Sequence, residues 1–447
     1  MSSSSLSGIR LGPMTLHGAT VVLRPPRVDD YAQWRRIRLR DQRYIEPFWS
    51  SSPLDWDARH TGKLWVRECL SVRAEARAGR RLSLVIEVDG RLAGQIELVS
   101  IESATGSAEM GIWVDAEVAR HGIGGLASSM VLDFGFGAAG LQRITAPISP
   151  MNLATARGAA LIGFQREAMM TRYFDVGGAR RDHELWAITN AAIPPNGFAR
   201  HWIESHSTQH PETPRPARPD AGTGTGTGTD SPLNRTTVLA GVARCYAGRA
   251  LHRFDPLRSP PTARLTDPDD PRVVLRSRHL LDRTQWRTAR IRNRAALDPE
   301  PDAPAAAWER RHGRIAWLRE FFCARAGLRS ERGLVLAVEV NGDYAGECRL
   351  FDLDMFDRNA RMFVWTDPAV GGEQVRIAAT RLLLDHAFTA LGLCRVATAI
   401  EPGDAHSAEI AARVGMVREG RMRCFVGATG RRADHDLWAV TTPIAQG

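Results

Sequence analysis

Apolar and polar positions alternate along the chain in short blocks that predict strands, and segments of helical spacing separate these blocks. In the first module, strands are predicted at residues 21–24, 82–88, 91–100, 108–114, 143–148, 166–175 and 182–189. Apolar residues recur at helical spacing over residues 29–40, 59–78, 122–138 and 152–161. This order predicts an α/β fold, more closely an α+β arrangement in which helices flank a mixed, twisted sheet.

Two dipeptides predict hairpin turns at equivalent places. Asp89-Gly90 joins the second and third predicted strands, and Asn341-Gly342 stands at the corresponding point later in the chain. Such dipeptides supply the positive φ angles that a two-residue turn requires. Each therefore predicts an antiparallel hairpin.

The chain contains the same module twice. Adding 252 to a residue number between Val22 and Thr189 gives its counterpart between Val274 and Thr441. Over residues 82–189, 38 of 108 positions are identical without a gap. We therefore predict a tandem duplication of one fold, with domains at residues 21–190 and 273–442.

The remaining segments are predicted to lie outside these domains. Residues 1–20 are expected to form a disordered tail, and residues 443–447 a short second tail. Residues 191–272 are predicted to be a Pro/Gly/Thr-rich linker, with a short helix over residues 237–254.

Composition narrows the class of protein only slightly. The net charge of +9 favours acidic partners such as RNA, a nucleotide-bearing cofactor or acidic peptides, but the arginines are spread along the sequence. The six cysteines show no C-x-x-C spacing, so neither a metal site nor a disulfide framework is expected. With no signal-peptide pattern and no apolar run of membrane-spanning length, a cytoplasmic location is expected.

A glycine-rich run distinguishes the two modules. Gly122-Ile123-Gly124-Gly125 follows a predicted strand and opens a predicted helix, whereas the second module has Gln374-Val375-Arg376-Ile377 at these positions. A helix N-terminus offers unpaired N–H groups to an anion, and glycine lets a phosphate approach the backbone closely. The alternative is a tight strand-to-helix turn with no ligand. The Rossmann pattern fits poorly, because the run follows three antiparallel strands.

The first module resembles the GNAT acetyltransferase superfamily, and it is most similar to the RimJ/RimL branch. The resemblance is carried by the glycine run together with Asn152-Leu153-Ala154-Thr155, Gly163-Phe164, Arg180-Arg181-Asp182-His183 and Leu185-Trp186. It implies acetyl-CoA as co-substrate and the N-terminal amine of a ribosomal protein as acceptor. Ala119 departs from the Gln or Arg that begins the family's pyrophosphate loop, which places one phosphate contact in doubt, and Arg120 is the candidate to replace it.

The resemblance also implies residues that bind the co-substrate. The pyrophosphate would lie on the loop, and Asn152 would contact the pantetheine arm. Thr155 would be the hydroxyl nearest the sulfur and an acid for the departing thiolate, or else a second cap of its helix. The amides near Ile112 and Trp113 would polarise the thioester carbonyl. The loop residues are Arg120, His121, Gly122, Ile123, Gly124 and Gly125.

Acyl transfer to an amine requires a base, and two glutamates are candidates. The strands at residues 91–100 and 108–114 are expected to splay beside the acceptor, which places Glu97 and Glu109 near the amine, with Glu109 preferred. The alternative is that both are surface residues of half-exposed strands. Their counterparts are Arg349 and Arg361, so the second module lacks both carboxylates as well as the glycines.

These observations predict an N-acetyltransferase whose first module is catalytic and whose second module is not. The second module is expected to pack on the first as a pseudo-dimer or to hold a macromolecular substrate. The protein is expected to be a monomer or a dimer, and the ribosome is a candidate partner. Asp182 and His183 recur as Asp434 and His435, so a structural role is expected for them. Two alternatives stay open: an acetyltransferase for a small-molecule amine, and a non-catalytic acyl-CoA-binding or scaffold protein.

Overall fold

The computed structural model describes residues 5–209, 264–298, 304–329 and 333–442. Contacts between residues divide the chain into two compact units. The first comprises residues 1–166 and 175–255, and the second comprises residues 167–174 and 256–447. The division differs from the predicted domains in that residues 167–174 group with the second unit.

Residues 5–209 contain eight strands and six α-helices. The strands are β1 (Leu11–Leu16), β2 (Ala19–Arg24), β3 (Leu82–Val88), β4 (Arg91–Glu102), β5 (Ser107–Val114), β6 (Arg143–Ile148), β7 (Gln165–Val176) and β8 (Ala179–Thr189). The helices are α1 (Tyr31–Arg40), α2 (Gln42–Ile45), α3 (Gly62–Arg77), α4 (Ile123–Phe136), α5 (Leu153–Ile162) and α6 (Phe198–Gln209). The sheet order is β1-β2-β3-β4-β5-β6-β8-β7, and β5 with β6 forms a parallel pair. The mixed sheet and flanking helices confirm the predicted fold class.

Helices cover both faces of this sheet. Successive side chains of a strand point to opposite faces, so neighbouring residues of β3 contact different helices. Leu84 of β3 belongs to a buried apolar cluster that includes residues of α4 and α6. Its neighbour Val85 belongs to a second cluster, which contains Trp34 of α1 and Trp65 of α3. The near-continuous apolar run of β3 is thus explained by burial on both faces.

The predicted N-terminal tail is wrong for residues 5–20. β1 pairs with β2 as an antiparallel hairpin. Leu6 and Leu16 are buried, and the Leu6 amide donates to the Ala76 carbonyl at 2.9 Å. The apolar residues at these positions are too widely spaced to predict a strand, and only packing against the rest of the unit reveals their role.

The predicted linker is wrong at both ends. α6 packs its Phe198, Ala199 and Trp202 side chains into the first apolar cluster. At the other end, residues 264–266 form a strand. The centre of the predicted linker and its predicted helix at residues 237–254 lie outside the described residues.

The second unit repeats the architecture of the first. Its strands are β9 (Arg264–Thr266), β10 (Val273–Ser277), β11 (Gly333–Val340), β12 (Asp343–Asp354), β13 (Asn359–Thr366), β14 (Arg395–Ile400), β15 (Val417–Val426) and β16 (Arg432–Thr441). Its helices are α7 (Arg283–Arg292), α8 (Arg294–Leu297), α9 (Ala305–Arg311), α10 (Arg314–Arg329), α11 (Glu373–Thr389) and α12 (Ala405–Arg413). The sheet order is β15-β16-β14-β13-β12-β11-β10-β9.

Both predicted hairpins are confirmed. Asp89 and Gly90 have φ angles of 48° and 80°, and Asn341 and Gly342 have φ angles of 51° and 91°. Positive φ at both central residues is the geometry of a type I′ turn, which asparagine, aspartate and glycine tolerate. The Asp89-Gly90 turn fixes the register of β3 with β4, the strand that carries Glu97.

Candidate active site

The turn between β5 and α4 is fixed by charged residues at the end of α1. The Asp41 carboxylate accepts from the Ala116 amide at 2.8 Å, and the Asp115 carboxylate accepts from the Glu117 amide at 2.8 Å. The Arg40 guanidinium bridges Asp41 and Asp115. This network holds the start of α4 in a defined position relative to β5.

The start of α4 presents unpaired backbone N–H groups. Gly122 is the N-cap with φ of 75°, and Arg120 also has a positive φ, of 70°. Among the described residues, the amides of residues 120–125 have no backbone acceptor. Arg120 itself is exposed, whereas the Ile123 side chain is buried in the core. Such a row of amides, with the positive end of the helix dipole, is suited to an anion.

The three glycines of the run are required for different structural reasons. Only Gly122 needs its left-handed conformation. A Cβ on Gly124 would lie 3.2 Å from Cγ2 of Val114, so this glycine lets α4 approach β5. A Cβ on Gly125 would lie 1.9 Å from the Trp202 ring, so Gly125 makes room for α6. Packing therefore requires Gly124 and Gly125 to be glycines in any case, and the phosphate-binding role of the three glycines stays a prediction.

Trp202 and His206 of α6 lie beside this loop. Trp202 Nε1 donates to the Gly122 carbonyl at 3.0 Å. Its ring stacks on His206, with ring centres 3.9 Å apart. At the other end of α6, the Asp133 carboxylate accepts from the Phe198 and Ala199 amides at 2.7 and 3.0 Å. α6 is thereby held along α4, and its indole supports the carbonyl of the N-cap residue.

Asn152 and Thr155 lie at the start of α5. Asn152 is the N-cap, and its side-chain oxygen accepts from the Thr155 amide at 3.2 Å. Both residues are half-buried, and the Thr155 hydroxyl is separate from this capping bond. The cap is therefore provided by Asn152, and the Thr155 hydroxyl is not needed for it.

The predicted splay between the strands of Glu97 and Glu109 is wrong. β4 and β5 stay in antiparallel register from Gly94–Val114 to Val99–Glu109. The separation occurs instead between β5 and β6. Their register covers Ser107–Glu109 with Arg143–Thr145, and in the described chain it extends no further.

Of the two amides predicted to face the thioester, one points elsewhere. The Trp113 carbonyl faces β4, since a Cβ on Gly94 would lie 2.4 Å from it. In an antiparallel pair the N–H and C=O of one residue face the same strand, and this direction alternates along the chain. The Trp113 N–H therefore faces β4, and the Ile112 N–H faces the gap between β5 and β6.

Glu97 lies on β4 opposite Gly111 of β5. Its Oε2 accepts from Arg81 at 2.9 and 2.6 Å, and Arg81 also binds Glu68 at 2.8 Å. Its Oε1 lies 3.7 Å from where a Gly111 Cβ would be, in space that the glycine leaves open. Burial raises the pKa of the Glu97 carboxyl, and Arg81 opposes this rise. The carboxylate is thus anchored through one oxygen and presents the other.

Glu109 lies on β5 two residues before Gly111, opposite Thr145 of β6. It is half-buried and is the last β5 residue in register with β6. Because alternate residues share a face, the Glu97 and Glu109 side chains lie on the same side of the sheet and flank Gly111.

In the second unit an arginine side chain fills the space between the start of α11 and the start of α12. The corresponding space in the first unit lies between the start of α4 and Thr155. Arg376, the counterpart of Gly124, donates from Nη2 to the Ser407 hydroxyl at 2.9 Å, and Ser407 is the counterpart of Thr155. Burial lowers the pKa of Arg376. α11 also begins at Glu373, two residues before the counterpart of the α4 start. In the first unit this space receives no side chain from the equivalent position, because Gly124 has none.

The face that bears Glu97 is also altered in the second unit. Arg349 stands at its position and binds the buried Glu347 carboxylate at 2.6 Å. Phe363 stands where the first unit has Gly111. A cavity of about 560 Å³ opens over this face, and Arg290, Arg319, Arg349, Phe363 and Trp365 are among its lining residues. A carboxylate is therefore replaced by a cation, and the glycine beside it by an aromatic residue.

Comparison with known proteins agrees with this geometry. The model of a family described as "Acetyltransferase (GNAT) domain" matches residues 20–165 and again residues 272–417. The chain belongs to the GNAT acetyltransferase family. It is accordingly an acyltransferase with two tandem GNAT domains, as the duplicated sequence predicted.

Three similar proteins illustrate the family. "Probable N-acetyltransferase YjcK" of Bacillus subtilis is 26% identical over 39% of this chain and 97% of its own length. "Putative ribosomal N-acetyltransferase YdaF" of Bacillus subtilis is 30% identical over 24% of this chain and 56% of its own length. A solved structure of Mycobacterium smegmatis RimJ in complex with CoA-disulfide is 38% identical, covering 45% of this chain and 96% of that chain, with a TM-score of 0.43.

Sequence reasoning missed three features of this GNAT domain. Trp202 of α6 lay in the predicted linker, although its helix shows apolar residues at helical spacing. Gly111 was not noticed, although its replacement by Phe363 is visible in the repeat. The unpaired state of Arg38 has no signal in the sequence, because Arg38 recurs as Arg290 and a recurring arginine does not show which carboxylate it faces.

Among the described residues, no helix combines the length and apolarity that crossing a membrane requires.

Proposed function

We propose that the protein is an acetyl-CoA-dependent N-acetyltransferase whose first unit is catalytic and whose second unit is not. The observation that carries the proposal is the contrast at the start of α4 and α11. The first unit offers unpaired amides and an open path to Thr155, whereas Arg376 fills that path in the second unit. A cytoplasmic location and the packing of the two domains as a pseudo-dimer stay predictions.

The residues of the first unit suit an acyl-CoA. The amides of residues 120–125 would bind the pyrophosphate, flanked by the exposed Arg120 and the half-buried His121 side chains. The pantetheine arm would pass Asn152 toward the gap between β5 and β6. There the Ile112 N–H would polarise the thioester carbonyl as negative charge develops on its oxygen.

The chemistry requires that an amine lose a proton and a thiolate leave. The acceptor nitrogen attacks the carbonyl carbon, so an N–C bond forms and the C–S bond breaks. We assign the amine proton to Oε1 of Glu97, directly or through a water, and place Glu97 ahead of Glu109. Its anchored carboxylate, raised pKa and open space over Gly111 support this order. The Thr155 hydroxyl would supply a proton to the thiolate.

The acceptor is proposed to be the N-terminal amine of a protein, of the ribosomal-protein kind. The resemblance to the RimJ/RimL branch supports this choice, as does the name of the relative YdaF. The open space over Gly111 suits an extended chain end that enters amine first. A small-molecule amine would be acetylated by the same groups, but none of the contacts described for residues 5–209 favours it.

Replacement of Gly124 by arginine tests the proposal, because it places in the first unit the side chain that Arg376 contributes at the same position of the second unit. Isothermal titration of the full chain is expected to show one acetyl-CoA per chain, and Gly124→Arg is expected to weaken binding by about 100-fold, as two charge-assisted hydrogen bonds are lost. The matched control is Arg376→Ala, which should leave the stoichiometry at one, because shortening the side chain does not unwind the start of α11.

Two results would contradict the assignment. Unchanged acetyl-CoA affinity in Gly124→Arg would exclude the α4 site. Loss of binding in Arg376→Ala would place the co-substrate in the second unit instead.

A further inference from the structure

A buried arginine in the first unit has no anionic partner within the part of the chain that the structure describes. Arg38 of α1 is 2% exposed, and its Nε donates to Nε2 of His60 at 3.0 Å. Its Nη1 is buried with no hydrogen-bond partner among the described residues. The guanidinium carbon lies 4.0 Å from the centre of the Trp49 ring and 4.8 Å from that of Trp56. We call Arg38, Trp49, Trp56 and His60 the Arg38 cage.

No group of the cage neutralises the arginine. Since His60 Nε2 accepts from Arg38, its Nδ1 carries the ring proton and donates to the Trp56 carbonyl. Burial lowers the pKa of His60 to about 4, so the ring is neutral at neutral pH. Burial and the nearby Arg59 lower the pKa of Arg38 to about 9, which still leaves it charged at neutral pH. Aromatic rings stabilise a cation by less than a buried carboxylate partner does.

The second unit shows how the same arginine is neutralised when the chain supplies its own anion. Arg290, the counterpart of Arg38, binds the buried Glu347 at 2.7 Å and Glu320 at 3.0 Å. In the first unit the position of Glu347 is taken by Gln95, a neutral residue. The counterpart of Glu320 is Glu68, which binds Arg81 instead. The first unit has therefore kept the arginine and lost the carboxylate.

The cage lies next to the proposed acceptor site. Gln95 Oε1 accepts from the indole nitrogens of Trp34 and Trp113 at 2.9 and 3.1 Å, and the Trp113 ring centre lies 5.2 Å from the Arg38 guanidinium carbon. Gln95 and Glu97 share one face of β4, at a spacing of about 7 Å along the strand. The Trp49 ring lies over the guanidinium and is itself 37% exposed, so this wall of the Arg38 cage faces solvent.

We infer that Arg38 binds a carboxylate of the acyl acceptor, so that the first unit selects acceptors with an acidic group close to the amine. The inference rests on the proposed function and adds the chemistry of the substrate. An extended peptide advances about 3.4 Å per residue, so the carboxylate belongs to the second or third residue of the acceptor when the terminal amine reaches Glu97. The Trp49 ring moves aside to admit it.

Acceptor peptides test the inference. The full chain is assayed for thiol release from acetyl-CoA with matched peptides that carry Glu, Gln or Lys at positions two and three behind a free N-terminal residue. The Glu peptide is expected to have a kcat/KM about 10- to 100-fold higher than the Gln peptide, as for one hydrogen bond between charged groups. Arg38→Gln is expected to remove this preference, while Arg36→Gln, which removes an exposed charge from the same helix, should preserve it.

Gln95→Glu provides a second variant that keeps the arginine. It rebuilds the pairing of the second unit, so that Arg38 is neutralised from within the fold. We expect it to remove the preference for acidic peptides while the protein keeps or gains thermal stability. This variant covers the case in which Arg38→Gln fails to fold.

The outcomes separate the inference from the function on which it rests. Equal acetylation of the Glu and Gln peptides, or a preference for the Lys peptide or for spermidine, overturns the inference and leaves the acetyltransferase proposal in place. If no peptide is acetylated although acetyl-CoA binds, the proposed acceptor class is wrong, and the inference fails with it.

Discussion

At the scale of single residues, the chemistry of the first unit depends on what surrounds a side chain rather than on its type. Glu97 and Glu109 are both half-buried glutamates on one sheet face. Glu97 differs because Arg81 holds one of its oxygens and Gly111 leaves space beside the other. Burial that raises its pKa makes it a better proton acceptor near neutral pH than an exposed glutamate.

Glu97→Gln is expected to lower kcat by about 10²- to 10⁴-fold, because general-base catalysis contributes a factor of this size. Since the base acts when ionised and its pKa is raised above the usual 4.5, kcat/KM of the wild type should rise with pH through a limb above that value. The variant should lose this limb and keep the one that belongs to the acceptor amine. pH–rate profiles check both points.

Glu109→Gln is the matched comparison. The charged groups that face Glu97 are Arg81 and Glu68, and neither is altered in that variant. A profile in which Glu109→Gln, and not Glu97→Gln, loses the acid limb would assign the base to Glu109.

At the scale of elements, the start of α4 is defined jointly by β5, the end of α1 and α6. Gly124 permits close contact with β5, and Gly125 permits close contact with Trp202. α6 follows the last strand of the module, yet its indole binds the N-cap carbonyl of α4. The start of α4, which presents the proposed phosphate site, is therefore supported by α6. This helix lies beyond the residues that carry the family's motifs.

Gly125→Ala is expected to destabilise the protein by about 1–3 kcal/mol, because the added methyl overpacks the contact with α6. Its Cβ would lie 1.9 Å from the Trp202 ring. Acetyl-CoA affinity should fall as the N-cap is displaced. Chemical denaturation measures the first effect and isothermal titration the second.

Gly158→Ala is the control for that substitution. Gly158 lies within α5, and a Cβ there would have nothing within 4 Å, so alanine should stabilise the helix by up to about 1 kcal/mol. If Gly125→Ala were as stable as Gly158→Ala, α6 would not pack as described.

At the scale of the whole molecule, the duplication has preserved the framework and changed the chemistry. Arg24 binds Asp30 and Glu87 in the first unit, and Arg276 binds Asp282 and Glu339 in the second. The indole pairs Trp34–Trp65 and Trp286–Trp317 also recur, with ring centres 4.6 and 4.9 Å apart. The differences concentrate at the helix start and on the face of β4 and β12.

Glu347→Gln is expected to destabilise the second unit by about 3–5 kcal/mol at neutral pH, because it removes the fully buried carboxylate that Arg278, Arg290 and Arg349 share. Burial alone would raise the pKa of Glu347, but Arg290, Arg349 and Arg278 hold it well below its usual range. A carboxyl with a lowered pKa stabilises the fold above its unfolded pKa, and this contribution is lost only as the pH falls through the folded value. The cost of the variant should therefore persist down to strongly acid pH.

Hydrogen exchange of the full chain measures this effect in both units at once. Peptides from β11 and β12 should lose protection in the variant, while those from β3 and β4 keep it and serve as the internal control. Unchanged protection of β12 would show that the three arginines do not depend on Glu347.

The sequence by itself determined the duplication, the order of strands and helices between residues 21 and 189, both hairpins, the family and the contrast between the two modules. These features depend on local periodicity, on turn residues with positive φ and on a comparison of the chain with itself. The glycine run and its replacement by Arg376 could be located in the same way. Local patterns are sufficient for such features because neighbouring residues produce them.

Only the tertiary structure decided which groups meet. It showed that the strands separate between β5 and β6 and not between β4 and β5, and that the Trp113 amide faces β4. It also showed that residues 11–16 form the strand β1 and that Trp202 contacts the start of α4. It also showed that Arg38 lacks the carboxylate that Arg290 has. These contacts join residues far apart in the chain, and their energies depend on burial and direction, which a sequence pattern does not contain.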